Sequence, residues 1–334
     1  DKLPTTLPAR RGAVGRLTPD QRLRRRVEDA LRDRGVTEVV AYSFTSPEAI
    51  ERLRLADVPL LRIANPLSED QSVMRPLLLP GLLDAARHNA ARGRPGLRLF
   101  ESAHVYRGAG PLDQVPDGSP RGATPSHERH HIGALMTEAL PGTWRSPGRP
   151  ADFYAAKGVL EAMLRSAGVE PRFEPGERPF LHPGRTATVI AGDERKLGWV
   201  GELHPSVAGA WDLDRGAAGF EVDFDLLAEI APGPPAFRDV TTFPPVVQDI
   251  AVVVSEDVAA DDVVAAVTEG GGELLDRIEL FDVYRGEQVG EGSKSLALRL
   301  EFRSPARTLT DDDVAAARAS IERALEEIGG RLRA

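Results

Sequence analysis

Residues 249 to 332 carry a succession of patterns that few folds can accommodate. Apolar residues alternate with polar or small ones at Ile250, Val252 and Val254, at Phe281 and Val283, and at Leu296, Leu298, Leu300 and Phe302. A period of two is the mark of a strand with one buried face. Strands are therefore expected at 249–255, 274–284 and 294–303, with helices at 260–269 and 311–328 and a short last strand near Arg331.

The order βαββαβ is that of the ferredoxin-like split unit, whose helices cover one face of a four-stranded antiparallel sheet. The alternating apolar residues should lie beneath the helices. Asp249, Ala251, Asp282, Tyr284, Ser295, Ala297, Arg299, Glu301 and Arg303 then share the open face. A stacking aromatic beside a carboxylate, a hydroxyl and arginines is one way to hold unpaired RNA bases. A solvated sheet face has the same pattern, so alternation alone leaves both open.

At 334 residues the chain is long enough for two domains, and the Pro-rich stretch 231–237 is the expected linker between them. Residues 1–18, rich in Pro, Gly and Arg, read as an arm, and the start at Asp1 without Met reads as a piece cut from a longer polypeptide. Thr18-Pro19 should cap a helix whose stripe is Leu23, Val27, Ala30 and Leu31, with Gly35 as its stop. Its arginines read as a solvated face, with an RNA or partner contact as the alternative. Strands are expected in "TEVVAYSF", "LRLFESAHVYRG" and "HIGALMT", and a helix from about Leu82. Residues 108–129 read as a loop. Further on come a helix in "ADFYAAKGVLEAMLRSAG", a hairpin, and the strand and short helix of "AAGFEVDFDLLAEI". Domain 19–230 is thus mixed helix and antiparallel sheet, and the chain as a whole is α+β.

The formal charge is −9, and from Arg238 onward there are 11 Lys and Arg against 20 Asp and Glu, so the whole surplus of acid lies there. This excludes a non-specific nucleic-acid binder, which needs a basic stripe to release counterions. Contact with nucleic acid must be local and geometric. No run of apolar residues reaches membrane-spanning length, and with no cysteine a cytoplasmic setting is expected.

"FPPVVQDIAVVV", "LFDVYRG", "GSKSLALRLEFRSPARTLTDDDV" and the terminal "GGRLR" resemble, in order and spacing, the ferredoxin-fold anticodon-binding domain that ends the beta subunits of bacterial phenylalanyl-tRNA synthetases. Upstream, "NPLSEDQSVMRPLLLPGLL", "FESAHVY", "DFYAAKG" and "LGWVGELHP" are similar to the class II synthetase-like core of the same subunits. The resemblance spans 19–230 and 238–334, roughly the C-terminal two-fifths of such a subunit. It implies that the last domain holds the anticodon of the tRNA for phenylalanine, its first base against the sheet. Tyr284 would stack on that base, Asp282 and Ser295 would read it, and Ala251 would leave room, with Arg303 and Arg307 in support. Where the family has Arg-Asp this chain has Gln248-Asp249, which implies one phosphate contact fewer.

The resemblance also implies an (αβ)2 heterotetramer in which the catalytic alpha subunit uses ATP and Mg, and the stripe Leu23, Val27, Ala30 and Leu31 packs against it. A working class II site needs arginines on the ATP phosphates. Glu101 follows Phe100 where the catalytic pattern has Arg, and "GFEVDFDLLAEI" has no Arg. This chain is therefore expected to be non-catalytic and to hold no cofactor or metal. The alternatives are a free-standing ATP-dependent ligase with a diverged site, and a purely structural assembly domain.

Other constellations are weaker. "HERHH" at 127–131 lacks a partner carboxylate at helical spacing. The glycines of "GEQVGEGSKS" suit a hairpin turn better than a phosphate loop. Tyr106 and Trp199 are expected in the core.

Overall fold

The computed structural model describes residues 2, 15–55, 58–94, 96–108, 126–140, 142–213, 216–233, 243–286 and 288–333. Most of the expected arm, loop 109–125 and linker residues 234–237 lie outside them. The chain divides into two compact units, one ending at Pro234 and one beginning at Pro235.

The first unit opens with helix α1 (Pro19–Asp33). Thr18 and Gln21 form a capping box, Pro19 sits in the first turn, and Gly35 turns the chain away at φ +69°. Next come β1 (Thr37–Glu38), β2 (Phe44–Thr45), α2 (Pro47–Arg52) and β3 (Val73–Met74), with Ser46 capping α2. Helix α3 (Leu79–Ala90) leads to β4 (Arg98–Gly108), β5 (Ser126–Met136), β6 (Glu138–Leu140) and β7 (Arg149–Pro150). Asp152 caps α4 (Phe153–Ser166), which is followed by β8 (Arg172–Pro175), β9 (Leu181–Ala191) and β10 (Arg195–Leu203). Helix α5 (Pro205–Ala210), β11 (Ala218–Asp223) and α6 (Phe224–Ile230) complete the unit.

Among the described residues, one sheet of seven strands has the order β1-β4-β5-β11-β10-β9-β8, antiparallel apart from the β1–β4 pair. Both its faces are packed. Phe100, Ile132, Val200 and Phe220 meet α1, α4 and α6 on one side. Leu99, Leu135 and Trp199 meet α3 and α5 on the other.

Three expectations change here. Val27 and Leu31 are fully buried against Leu160 and Met163 of α4, and Leu23 packs at the edge of the same cluster. Of the stripe Leu23, Val27, Ala30 and Leu31, expected to face a partner subunit, Val27 and Leu31 are spent on the unit's own core with Leu23 at its edge, while Ala30 is only partly buried. Amphipathic spacing shows that a helix face is buried but not against what. The strand expected in "TEVVAYSF" shrinks to two short pieces, and Val40 and Tyr42 between them are 91% and 74% exposed. Its backbone is instead tied to side chains: Ala41 N–H donates to Glu101, and the Tyr42 carbonyl accepts from Arg75. The helix expected from about Leu82 starts three residues earlier, at Leu79.

The second unit comprises β12 (Val246–Ser255), α7 (Ala260–Gly271), β13 (Leu275–Tyr284), β14 (Ser293–Phe302), α8 (Asp311–Glu327) and β15 (Arg331–Leu332). Thr310 and Asp313 close a capping box at the start of α8. The sheet order β13-β14-β12-β15, with every neighbouring pair antiparallel, is the ferredoxin-like arrangement. Val263, Val267, Val314, Ile321 and Leu325 of the helices pack on Ile250, Val252, Val254, Leu296, Leu298, Leu300 and Phe302.

Two alternating residues fall outside the core: Val283 keeps the phase of Leu296 but is 40% exposed at the edge of the sheet, and Phe281 changes face. A bulge separates the pairs Leu280–Leu298 and Asp282–Ala297, and Phe281 is the extra residue. It is 51% exposed, and the Arg299 guanidinium lies 5.4 Å from its ring centre. Phe281, expected beneath the helices, is therefore on the open face. An inserted residue shifts the phase of a strand, which counting by twos cannot detect.

Candidate nucleic-acid interface

Cross-strand pairing sorts the open face into rungs, because directly opposed residues point to one side of a sheet. The first rung runs from Arg331 through Val253 and Ser295 to Tyr284. The second runs through Ala251 and Ala297 to Asp282, with Arg333 donating its backbone N–H to the Ala251 carbonyl at 2.8 Å. The third is Asp249, Arg299 and Glu279. Ala251, Asp282, Tyr284 and Ser295 thus come together on two adjacent rungs.

Their chemistry differs with burial. Tyr284, on the edge strand, keeps 39% of its surface exposed, whereas Ser295 in the middle is 5% exposed. The adjacent rung carries only the methyl groups of Ala251 and Ala297 beside Asp282, so it is shallow. Asp282 accepts one hydrogen bond from the Val283 N–H at 2.8 Å through Oδ1, and its Oδ2 has no partner among the described residues. A carboxylate with a spare oxygen beside an aromatic ring suits the N–H edge of a purine.

Arg303 and Arg307 are not part of this cluster. Arg303 follows the last residue of β14, eight residues from Ser295, which is about 27 Å at the rise of a strand. Its Nε lies 3.6 Å from Asp276. Arg307 forms a bidentate pair with Asp313 at 2.5 and 2.8 Å, next to the α8 capping box. That guanidinium holds the Asp313 carboxyl well below the usual carboxylate range.

The structure adds cations that pattern reading overlooked. Arg331 and Arg333 flank the first two rungs from β15, and Arg333 donates to Gln288 at 2.5 Å. Their only signal was the alternation of "RLR", too short to support a strand by itself. Arg299 is held by Asp249 through two hydrogen bonds of 2.8 and 2.9 Å, which lower the Asp249 carboxyl pKa.

Among the described residues, the first unit offers no comparable open platform at Glu101. That side chain is 1% exposed, and Oε1 accepts from the Arg75 guanidinium at 2.8 Å and from the Ala41 N–H at 3.1 Å. Arg75, itself 3% exposed, also reaches the His104 carbonyl at 2.9 Å. On the same sheet face Glu221 accepts from the Leu78 N–H and pairs with His131. The histidines of 127–131 diverge: His130 meets Ser102 on the opposite face. Trp199 is buried, and Tyr106 is partly so.

Residues 3–224 match the model of the phenylalanyl tRNA synthetase beta chain CLM domain, and residues 241–333 that of the ferredoxin-fold anticodon binding domain. The chain is 41% identical over its whole length to 41% of a phenylalanine–tRNA ligase beta subunit from Moorella thermoacetica. It is 40% identical over its whole length to 37% of the subunit from Symbiobacterium thermophilum. With the one from Geobacillus kaustophilus it shares 38% identity over 98% of this chain and 39% of that one. The chain thus spans about two-fifths of the length of these relatives.

Proposed function

Since the chain belongs to the phenylalanyl-tRNA synthetase beta-chain family, we propose that its second unit holds the anticodon of the tRNA for phenylalanine. Tyr284 stacks on the first anticodon base, Asp282 and Ser295 read its polar edge, and the Ala251 floor leaves room for the ring. The observation that carries this reading is the shared rung of Ala251, Ala297 and Asp282 beside an exposed Tyr284. Arg331 and Arg333 supply the local positive charge that an otherwise acidic domain needs near RNA phosphates.

The whole protein then serves as the beta subunit of a cytoplasmic ligase, an (αβ)2 heterotetramer whose alpha subunit binds ATP and Mg and performs the aminoacylation. This chain contributes assembly and tRNA binding, not chemistry. Support comes from Glu101: where a phosphate-binding arginine would be needed, a buried carboxylate is neutralised internally by Arg75. The same sheet face is filled by Leu78, Leu79, Leu82 and Leu83. With Val27 and Leu31 engaged internally, the exposed Val40 and Tyr42 are the better candidates for the alpha-subunit contact.

The test is aminoacylation and tRNA binding by the heterotetramer carrying Tyr284→Ala, using tRNA with the native or an altered first anticodon base. Loss of discrimination between the two tRNAs supports the reading. Unchanged discrimination overturns it.

A further inference from the structure

Beyond the Tyr284 rungs, the open face carries a second aromatic that the bulge turned outward. Phe281 is half exposed, and the Arg299 guanidinium sits 5.4 Å from its ring centre. Both oxygens of Asp249 hold that guanidinium, so its plane is fixed. A fixed guanidinium over an aromatic ring is a flat, polarisable surface on which a base stacks without being identified. We propose that Phe281, Arg299 and Asp249 form a seat for a second unpaired base, that of the nucleotide following the one on Tyr284. This rests on the anticodon reading above and extends it from one base to two.

Three features favour a base over a phosphate at this seat. The Arg299 charge is already met by Asp249, and Glu279 and Glu301 lie on its own and the next rung of the same face. An arginine ringed by carboxylates is a poor phosphate ligand but keeps its stacking plane. Spacing is the second feature. Ser295 and Arg299 are four residues apart on β14, about 13 Å, against roughly 3.4 Å for stacked bases, so two bases held here are splayed. Finally, the rung between the two seats has Ala251 and Ala297 at its centre, which leaves a floor across which the sugar–phosphate chain can pass.

The experiment uses the heterotetramer, tRNA with an abasic site at either the first or the second anticodon position, and the variants Phe281→Ala, Phe281→Leu and Arg299→Lys. Phe281→Ala and Arg299→Lys are expected to weaken binding of intact tRNA by about tenfold. Phe281→Leu, which keeps the apolar bulk but not the π face, should weaken it similarly. All three should bind the tRNA abasic at the second position as wild type does, because the base they would hold is gone. The salt dependence of binding should not change in Arg299→Lys. Equal sensitivity of wild type and Phe281→Ala to the second abasic site overturns the proposal. So does an Arg299→Lys enzyme that binds like wild type, since that marks a charge contact alone. Tyr284→Ala with the tRNA abasic at the first position provides the separate check. If that pair couples and the Phe281 pair does not, only the second seat fails; if neither couples, the anticodon reading itself falls.

Discussion

Gly286 and Tyr284 share one space: a Cβ on residue 286 would overlap the Tyr284 hydroxyl and its ring carbon. The glycine is what allows the edge-strand phenol to lie along the turn beyond β13. Gly286→Ala should therefore displace the ring while leaving the fold intact, because the obstacle is the far end of a rotatable side chain. Stability is expected to change by less than about 0.5 kcal/mol, while tRNA affinity falls by part of the roughly 1–3 kcal/mol that one base stack contributes. In a Tyr284→Ala background the same substitution should add nothing, which a double-mutant cycle of tRNA binding measures.

Leu298 lies on the strand that carries Ala297 and Arg299 but faces the helices at zero exposure. Leu298→Ala should leave a cavity costing roughly 2–5 kcal/mol in unfolding free energy, read by denaturant titration. Tyr284→Ala should leave that titration nearly unchanged and lower tRNA binding instead. An exchange of the two phenotypes would mean that the register is off by one residue.

The buried pair of Arg75 and Glu101 makes a sharper demand. Arg75→Met strands a carboxylate in the core and should destabilise the first unit by roughly 3–5 kcal/mol. Arg75→Met combined with Glu101→Leu should recover most of that loss, since two buried charges are then replaced by apolar volume. Urea midpoints of the two variants decide whether the pair is held by mutual need.

His130 provides a pH test. Burial, followed by the neighbouring His104, lowers its pKa from the ordinary 6.5 to about 4. Between these values the unfolded chain binds a proton that the folded chain refuses, so stability falls as pH drops from about 6.5 to about 4. That difference corresponds to about 3 kcal/mol at most, and to less as solvent screens the ring. His130→Gln, which keeps a polar group near Ser102, should flatten that part of the stability profile relative to wild type.

Much of the second unit could be read from sequence because its strands alternate cleanly and its helix α8 begins on an explicit cap, Thr310 followed by Asp313. That alternation put Ala251, Asp282, Tyr284 and Ser295 on one face with five other residues, and the family resemblance singled the four out. Phe281 did not, because the same alternation placed it with Val283 and a bulge leaves no compositional trace. The short strand near Arg331 was expected, but the place of Arg331 and Arg333 beside the site was not, because their neighbours are set by pairing with β12. In the first unit, the helix stripe of Val27 and Leu31 announced burial but not its partner, and "VVAY" has strand propensity yet is held by Arg75 and Glu101, whose reach depends on tertiary structure.

The rungs of the open face have a consequence for the order of events in folding. Each rung draws on strands far apart in the chain: α7 and β13 lie between β12 and β14, and α8 as well between β12 and β15. Such non-local pairing forms late. A nascent or partly folded chain therefore offers RNA isolated aromatic and charged side chains but no surface, and affinity should arise in one step when the sheet closes, so that only completed molecules compete for tRNA.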